Sequence, residues 1–321
     1  MKAVYVEKVA RTLKDYPVPS PGPHEPFYMD GYAAVEGNDI AGYVEEIGEG
    51  VTKFKKGDKV AAFTKMRSGD KYGAYAEYSV APVNTTFALG PKTAFEDAAA
   101  LPLAYGTAAI GLFKRLGLPT PDEPVQSGHP ALLVWGGATT VGVYAIQLAK
   151  KAGLYVVAIA GSSQDVPKSY GADEVLDYRN KTDAELVDAI VSAASGQIRY
   201  VYDAVSEGNT LSVVSAALDR LGGGKYTYVL TYSDAQLASI PKTVEPVRTL
   251  VATAYGEDSA FAETWYDRAG QWLEKGEFRP QKVTVVPGGL AGVEEGLRRL
   301  QQGEVRGEKL VYCIAETPGL A

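Results

Sequence analysis

A short apolar run, Ala131–Trp135, enters a glycine-rich turn directly and is followed by a helical pattern. Five consecutive apolar residues suit a strand buried on both faces, as in a parallel sheet. After the turn, Val141, Ala145, Leu148 and Ala152 recur at helical spacing and form one apolar face. A strand, a tight turn and a helix in direct succession therefore predict a βα unit over residues 131–152.

The turn itself, residues 136–142, reads GGATTVG and predicts an anion site. The free N–H groups at the start of a helix, together with the helix dipole, suit a pyrophosphate. Compared with the dinucleotide fingerprint G-x-G-x-x-G, Gly137 and Gly142 hold the first and third positions, whereas Thr139 replaces the middle glycine. Its hydroxyl is expected to donate to the phosphate instead. The pattern favours dinucleotide binding, with a plain structural turn as the alternative.

The end of the next strand bears on the choice of dinucleotide. In NAD-binding versions of the fingerprint, an acidic residue about twenty positions on holds the ribose hydroxyls. Here residues 160–164 read AGSSQ, so no carboxylate repels a 2′-phosphate. Ser162, Ser163 and Lys168 are candidates to bind one, which favours NADPH over NADH. The alternative is a polar turn with Lys168 on a solvated face.

The sequence pattern differs between the first part of the chain and the rest. Residues 1–90 carry short alternating runs, such as 42–47, 59–63 and 75–80, which predict a small β-barrel or sandwich. Residues 94–117 read as helical. Beyond residue 130, strands and helices alternate, which predicts an α/β doubly wound parallel sheet. Its strands are expected at 131–135, 155–160, 174–178, 198–205, 225–230 and 248–254.

The last stretch again has a β-strand pattern, with strands expected at 282–286 and 309–314 and a helix between them at 290–302. A terminal strand of this kind is expected to rejoin the first domain. The predicted domains are therefore 1–117 with 277–321, and 118–276. Within the second, Thr182 and Glu185 predict a capping box at a helix start.

Composition excludes several classes of function. Lys and Arg number 32 against 39 Asp and Glu, for a net charge of −7, and no basic block argues for a nucleic-acid partner. There is no apolar run of membrane length and no signal-peptide pattern, so we expect a cytoplasmic protein without a membrane partner. The single cysteine, Cys313, reads as a buried strand thiol. With only His24 and His129 beside it, a zinc site of Cys and His ligands is not expected.

Taken together, several motifs give the chain a family resemblance. They are GNDIAG at 37–42, VTKFKKGDKV at 51–60, AALP at 99–102, residues 171–178, VPGGL at 286–290 and GEKLV at 307–311. In these the chain resembles the zinc-independent medium-chain dehydrogenase/reductase superfamily, in the branch of quinone oxidoreductases and fungal trans-acting enoyl reductases. The resemblance implies a Rossmann domain for the dinucleotide and a GroES-like β-barrel domain for the substrate.

The resemblance also implies a chemistry. Zinc-dependent members place His-Glu where this chain has Asn38 and Asp39, and a cysteine-bearing lobe where it has only residues 64–72, so neither a catalytic nor a structural zinc is expected. Without a Lewis acid, alcohol oxidation is disfavoured. The implied activity is NADPH-dependent hydride transfer to the β-carbon of an enone or enoyl thioester, or to a quinone. The chain is expected to act as a homodimer or a monomer.

By the same resemblance, specific residues receive roles. Thr139, Thr140 and Val141 would meet the pyrophosphate, within a cofactor-binding turn that also includes Gly137, Ala138 and Gly142. Ser162, Ser163, Lys168 and Tyr178 would hold the 2′-phosphate end, although Tyr178 has a structural alternative as a strand-end aromatic. Thr107 would lie on the nicotinamide side as a catalytic candidate. Leu230 and Arg306 complete the implied cofactor set.

One departure from the family pattern lies between residues 24 and 37. Members carry a barrel strand and an Asn-Pro-x-Asp loop there, whereas this chain runs almost directly from PGPHE at 21–25 to DGY at 30–32. The barrel is thus expected to lack one strand, unless residues 26–29 replace it. Tyr32 is the nearest candidate proton donor, with an ordinary loop tyrosine as the alternative. The alternative function is an NADPH-binding protein with little or no catalysis.

Overall fold

Six parallel strands form the largest sheet of the structure, a computed structural model that describes residues 2–7, 10–15, 33–65, 68–125, 128 and 130–320. In chain order they are β7 (Ala131–Trp135), β8 (Val156–Ala160), β9 (Glu174–Asp177), β10 (Ile198–Asp203), β11 (Gly224–Tyr228) and β12 (Val244–Arg248). Their spatial order is β12-β11-β10-β7-β8-β9, with every pair parallel. This is the doubly wound Rossmann order, which reverses direction between β7 and β10.

Helices cover this sheet because its central strands are apolar on both faces. All five residues of β7 and of β8 are buried. The covering helices are α3 (Thr140–Lys151), α4 (Asp165–Ser169), α5 (Asp183–Ser192), α6 (Thr210–Arg220) and α7 (Asp234–Ala238). The predicted capping box is confirmed, since the backbone N–H groups of Thr182 and Glu185 each donate to the other's side chain. The sheet and these helices belong to a compact unit of residues 107–251.

The other compact unit comprises residues 1–106 and 252–321. Its strands are β1 (Lys2–Glu7), β2 (Ala10–Asp15), β3 (Ala33–Val35), β4 (Asp39–Tyr43), β5 (Lys59–Phe63), β6 (Thr86–Ala88), β13 (Val283–Val285) and β14 (Lys309–Val311). In the described part of the chain they form separate sheets, β2-β1-β3, β4-β5-β6 and β13-β14. The helices are α1 (Phe95–Ala99), α2 (Pro102–Ala109), α8 (Ser259–Glu274) and α9 (Val293–Gln301). Residues 107–109 of α2 fall in the first unit described above.

Two predicted strands are wrong, and the run predicted at 42–47 is displaced, since β4 is Asp39–Tyr43. Residues 75–80 form bends with a single bridge residue instead of a regular strand. The strand expected at 248–254 instead ends at Arg248, and Val251–Tyr255 is a 3₁₀ helix. The true strand contains Pro246, which an edge strand tolerates because one side of its backbone needs no ladder partner. No helix among the described residues is both long and apolar enough to cross a membrane.

A π-helical turn, Ile110–Arg115, brings a glycine against the sheet. A Cβ added at Gly111 would lie 2.3 Å from Cε2 of Tyr202 and 2.9 Å from Oγ1 of Thr249. Tyr202 is fully buried and its hydroxyl donates to the Thr107 carbonyl at 2.8 Å, so its ring has little room to move. The glycine is therefore required by packing.

We predict that Gly111→Ala lowers the free energy of unfolding by about 1–3 kcal/mol, because overpacking a filled core costs more than the better helix propensity of alanine returns. Urea unfolding followed by circular dichroism measures the change. Gly42→Ala is the control, since no atom lies within 4 Å of its Cβ position. Equal stability of the two variants would contradict the close packing at Gly111.

Candidate active site

The glycine turn is held against the neighbouring strand by backbone hydrogen bonds. The N–H groups of Gly136 and Gly137 both donate to the carbonyl of Ile159 on β8, at 3.1 and 2.9 Å. Gly136 has φ +78°, a backbone conformation that only glycine adopts at no cost. The turn is thereby fixed at the carboxyl end of β7, next to the point where the sheet order reverses.

Two further positions in the turn must be glycine, because neighbouring atoms occupy the space that a side chain would need. A Cβ on Gly142 would lie 2.2 Å from the carbonyl oxygen of Gly136. A Cβ on Gly137 would lie 2.8 Å from Cβ of Ala158 and 3.2 Å from Cβ of Pro167. The turn therefore packs closely on both β8 and α4. Any larger residue at these positions must displace backbone.

The helix that follows begins with a cap and free donors. Thr139 is the N-cap of α3, and its Oγ1 accepts the N–H of Gly142 at 3.0 Å. That hydroxyl retains its proton for a second, donated bond. In the described part of the chain, the backbone N–H groups of Thr140 and Val141 have no acceptor. With the helix dipole behind them, these donors suit an anion.

At the end of β8, Tyr178 lies against Gly161. A Cβ on Gly161 would be 2.7 Å from the Tyr178 hydroxyl oxygen, so the missing side chain makes room for the ring. Ser162 is exposed and Ser163 is half-buried on the turn that follows. Lys168 is exposed in the last turn of α4, the helix that also contacts Gly137 through Pro167. The structure thus brings these four predicted residues to the same edge of the sheet as the glycine turn.

An ion pair at this edge is absent from the sequence prediction. Asp177 lies opposite Ala160 in the β8–β9 register. Arg179 donates to both of its carboxylate oxygens, at 3.0 Å from Nε to Oδ1 and 2.7 Å from Nη2 to Oδ2. Gln164 Nε2 also donates to Oδ2 at 2.7 Å. The Arg179 bonds lower the pKa of Asp177 from 3.8 to about 2. The signal in the sequence is an Asp and an Arg two positions apart at a strand end.

On the other side of β7, the loops after β10 and β11 make contacts that the sequence did not reveal. Val205 follows β10, and its Cγ2 would lie 2.5 Å from a Cβ on Gly136. Leu230 follows β11 and is 44% exposed. The residue before it, Val229, donates its N–H to Ser206 Oγ at 2.9 Å. The loops after β7, β10 and β11 are therefore linked by direct contacts.

The remaining predicted residues lie elsewhere. Thr107 is buried on α2, and its carbonyl accepts the Tyr202 hydroxyl. Arg306 is exposed, belongs to the unit of residues 1–106 and 252–321, and donates from Nε to the Gly303 carbonyl at 3.3 Å. Tyr32 lies outside the described residues, as do His24 and His129.

In that second unit, the Asp39 carboxylate is already engaged. Its Oδ1 accepts the N–H of Leu103 at 2.6 Å, and its Oδ2 pairs with Nζ of Lys309 at 2.6 Å. Asp39 is mostly buried, so the pair holds β4 to β14 and to the start of α2. Among the described residues, no group of three or more His, Cys, Asp or Glu side chains is placed to hold a metal ion.

Fold and site together define an α/β protein with a doubly wound Rossmann sheet and a glycine-rich turn at its point of reversal. A family model described as "Alcohol dehydrogenase GroES-like domain" matches residues 4–91, and one described as "Zinc-binding dehydrogenase" matches residues 140–268. The trans-enoyl reductase fsr4 of Gibberella fujikuroi is 35% identical over 322 aligned positions, covering 91% of this chain and 92% of the relative. The chain therefore belongs to the medium-chain dehydrogenase/reductase superfamily, in the family of the trans-enoyl reductases.

Solved structures agree on the fold. A quinone oxidoreductase of Pseudomonas syringae pv. Tomato superposes with a TM-score of 0.75 at 22% identity, covering 97% of this chain and 100% of that one. A mycobacterial protein solved in complex with NADPH superposes with a TM-score of 0.73 at 22% identity, again covering 97% and 100%. The expected combination of a Rossmann sheet with a GroES-like domain is confirmed.

The description of the second family model implies zinc, and the described donor groups around Asp39 do not fit it. A zinc ion needs about four ligand atoms from Cys, His or carboxylate side chains. Asp39 stands where zinc-dependent relatives are expected to carry a ligand, but both of its oxygens accept hydrogen bonds from protein donors. Its neighbour Asn38 offers only a neutral amide.

Replacing Arg179 tests the electrostatics of the β8–β9 edge. Because the folded pKa of Asp177 is lowered, the pair adds stability above pH 3.8 that is lost as the pH falls toward about 2. In Arg179→Gln the pKa of Asp177 should rise toward its ordinary value, and this acid-dependent loss should flatten. Urea unfolding in pH steps between about 2 and 5, with NMR titration of the Asp177 carboxyl carbon, measures both. An unchanged Asp177 pKa would contradict the assigned cause.

Proposed function

We propose that this protein is an NADPH-dependent reductase that transfers hydride to the β-carbon of an α,β-unsaturated carbonyl compound, or to a quinone, without zinc. The observation that carries the proposal is the turn at residues 136–142, which presents the unpaired N–H groups of Thr140 and Val141 at a helix start and at the reversal point of the sheet. Dinucleotides bind at such points. The similarity to a trans-enoyl reductase supports the acceptor class.

Charge at the β8–β9 edge supports NADPH over NADH. Ser162, Ser163, Tyr178 and Lys168 surround the end of β8, where NAD-binding relatives are expected to have a carboxylate. The carboxylate of Asp177, which lies opposite Ala160, is paired with Arg179. An additional 2′-phosphate would therefore meet hydroxyl groups and cations. The NADPH complex of the mycobacterial structural neighbour is consistent with this choice.

Different residues of this chain are proposed to bind different parts of the cofactor. The pyrophosphate would be held by the turn, that is by Gly137, Ala138, Thr139, Thr140, Val141 and Gly142. Leu230, Thr107 and Arg306 are proposed for the nicotinamide half, and Tyr32 as the proton donor. When bound, the nicotinamide supplies the hydride, and the chain's contribution is to orient the acceptor and to protonate the resulting enolate. We propose residues 1–117 with 277–321 as the substrate domain and 118–276 as the cofactor domain.

A second candidate function is NADPH binding with little catalysis. The alignment with fsr4 spans 322 positions but only 91% of this 321-residue chain, so about 30 of its positions carry no residue of this protein. The shortened stretch between residues 24 and 37 is one place where such residues are missing relative to the family pattern. A truncated substrate wall would leave the cofactor site intact and reduce turnover.

One assay separates the two candidates. Both predict that NADPH quenches the emission of Trp135, which is buried directly before the turn. Only the reductase predicts NADPH oxidation at 340 nm when enones, enoyl thioesters or quinones are added in turn. Treatment with 1,10-phenanthroline should leave the rate unchanged if zinc takes no part. Binding without oxidation of NADPH by any acceptor would favour the second candidate, and absence of binding would refute both.

The cofactor preference depends on the cation at residue 168. We predict that Lys168→Glu weakens NADPH binding roughly tenfold or more and leaves NADH binding nearly unchanged, because only NADPH places a 2′-phosphate near this side chain. Calorimetric titration with both cofactors measures the ratio. Lys242→Glu is the matched control: it makes the same charge change on an exposed residue before β12, at the amino edge of the sheet. A parallel loss for both cofactors would refute the assignment.

A further inference from the structure

Asp203 is a fully buried carboxylate at the end of β10. No Lys or Arg among the described residues pairs with it. Its Oδ1 accepts the backbone N–H groups of Val205 and Ser206, at 3.0 and 2.8 Å. Its Oδ2 accepts the hydroxyl groups of Tyr226 at 2.8 Å and Tyr232 at 3.3 Å. Four neutral donors thus surround one buried acid.

Such an arrangement is costly unless every lone pair is satisfied. Burial raises the pKa of Tyr226 well above its ordinary value, and the nearby Asp203 carboxylate adds to the rise. Burial likewise raises the pKa of Tyr232. Both phenols therefore keep their protons as donors. The hydroxyl of Thr210 lies 3.0 Å from that of Tyr232 and extends the network to the first turn of α6.

This network fixes the loop that lies on the glycine turn. Ser206 has φ +59°, a strained conformation for a residue other than glycine, and it is held there by its N–H bond to Asp203. Its Oγ donates to the Asp203 carbonyl at 3.2 Å and accepts the N–H of Val229 at 2.9 Å. Ala204, which lies between Asp203 and Val205 in the chain, donates its N–H to the Trp135 carbonyl at 3.0 Å. Val205 then lies against Gly136.

The position of the network in the sheet indicates which half of a dinucleotide it serves. Strands β8 and β9, with Lys168 and Tyr178, lie on one side of β7, whereas β10 and β11 lie on the other. A dinucleotide at the reversal point spans both sides, so if the 2′-phosphate end lies over β8–β9, the nicotinamide end lies over β10–β11. The loops joined by Ser206 border the second half.

We propose that Asp203 and Ser206 are positioning residues for the nicotinamide half of the cofactor: the buried carboxylate sets the 204–206 loop, and Ser206 joins that loop to Val229 and Leu230. The inference rests on the proposed NADPH-dependent function. It assigns to these buried groups a selective effect on one half of the ligand, which a general contribution to core stability would not produce.

The test compares NADPH with 2′,5′-ADP, a fragment that carries the 2′-phosphate end and lacks nicotinamide. In Ser206→Ala, loss of the bond to Val229 N–H should weaken NADPH binding about fivefold by calorimetry, while 2′,5′-ADP binding stays within about twofold. Ser215→Ala is the matched control, because the hydroxyl of this buried serine of the same unit donates to the Leu211 carbonyl within α6, its one bond among the described residues. It should leave both affinities unchanged.

A second variant, Asp203→Asn, keeps the size of the side chain and removes its charge. It should weaken NADPH binding about tenfold with the same selectivity; if it does not fold, Ser206→Ala decides alone. Unchanged NADPH binding in folded Ser206→Ala, or an equal loss for both ligands, overturns the inference and leaves the proposed function standing. Failure of the unmodified protein to bind NADPH overturns the proposed function, and this inference with it.

Discussion

The structure depends on a backbone contact that leaves no space for side chains. Inside the turn, the Cβ position of Gly142 is 2.2 Å from the Gly136 carbonyl oxygen, and that of Gly137 is within 3 Å of Ala158. This closeness lets Gly136 and Gly137 share the Ile159 carbonyl and places the start of α3 directly over the end of β7. The exposed N–H donors of the helix, and the crevice beside them, exist because the turn is this tight.

Much of this could be predicted from the sequence, because local rules and global fold agree there. A continuous apolar run correctly predicted β7 at Ala131–Trp135, and a short strand pattern bounded by Gly57-Asp58 correctly predicted β5 at Lys59–Phe63. The capping box at the start of α5 was likewise predicted from Thr182 and Glu185, three positions apart. In each case the pattern is long or strongly punctuated, so few alternative structures compete with it.

What sequence reasoning missed depends on which residues meet across strands. Asp177 matters because the register of β9 places it beside Ala160, and Asp203 because Tyr226 and Tyr232, more than twenty residues away, donate to it. The spacing of Asp177 and Arg179 can be read within one segment, but the position of Asp177 beside β8 and the bonds from Tyr226 and Tyr232 to Asp203 cannot. The strand at Val244–Arg248 was hidden for another reason, since Pro246 weakens a strand pattern unless the strand is known to lie at an edge.

Asp177 and Asp203 lie on opposite sides of β7, and their carboxylates are stabilised in different ways. Asp177 is near the surface and is balanced by the charge of Arg179, an interaction that dissolved salt screens. Asp203 is fully buried and is balanced by the geometry of neutral donors, which salt does not reach. The β8–β9 side is therefore suited to recognising charge, as on a phosphate, whereas the β10–β11 side is suited to holding backbone in place. A ligand that spans the turn would meet an electrostatic contact at one end and a rigid wall at the other.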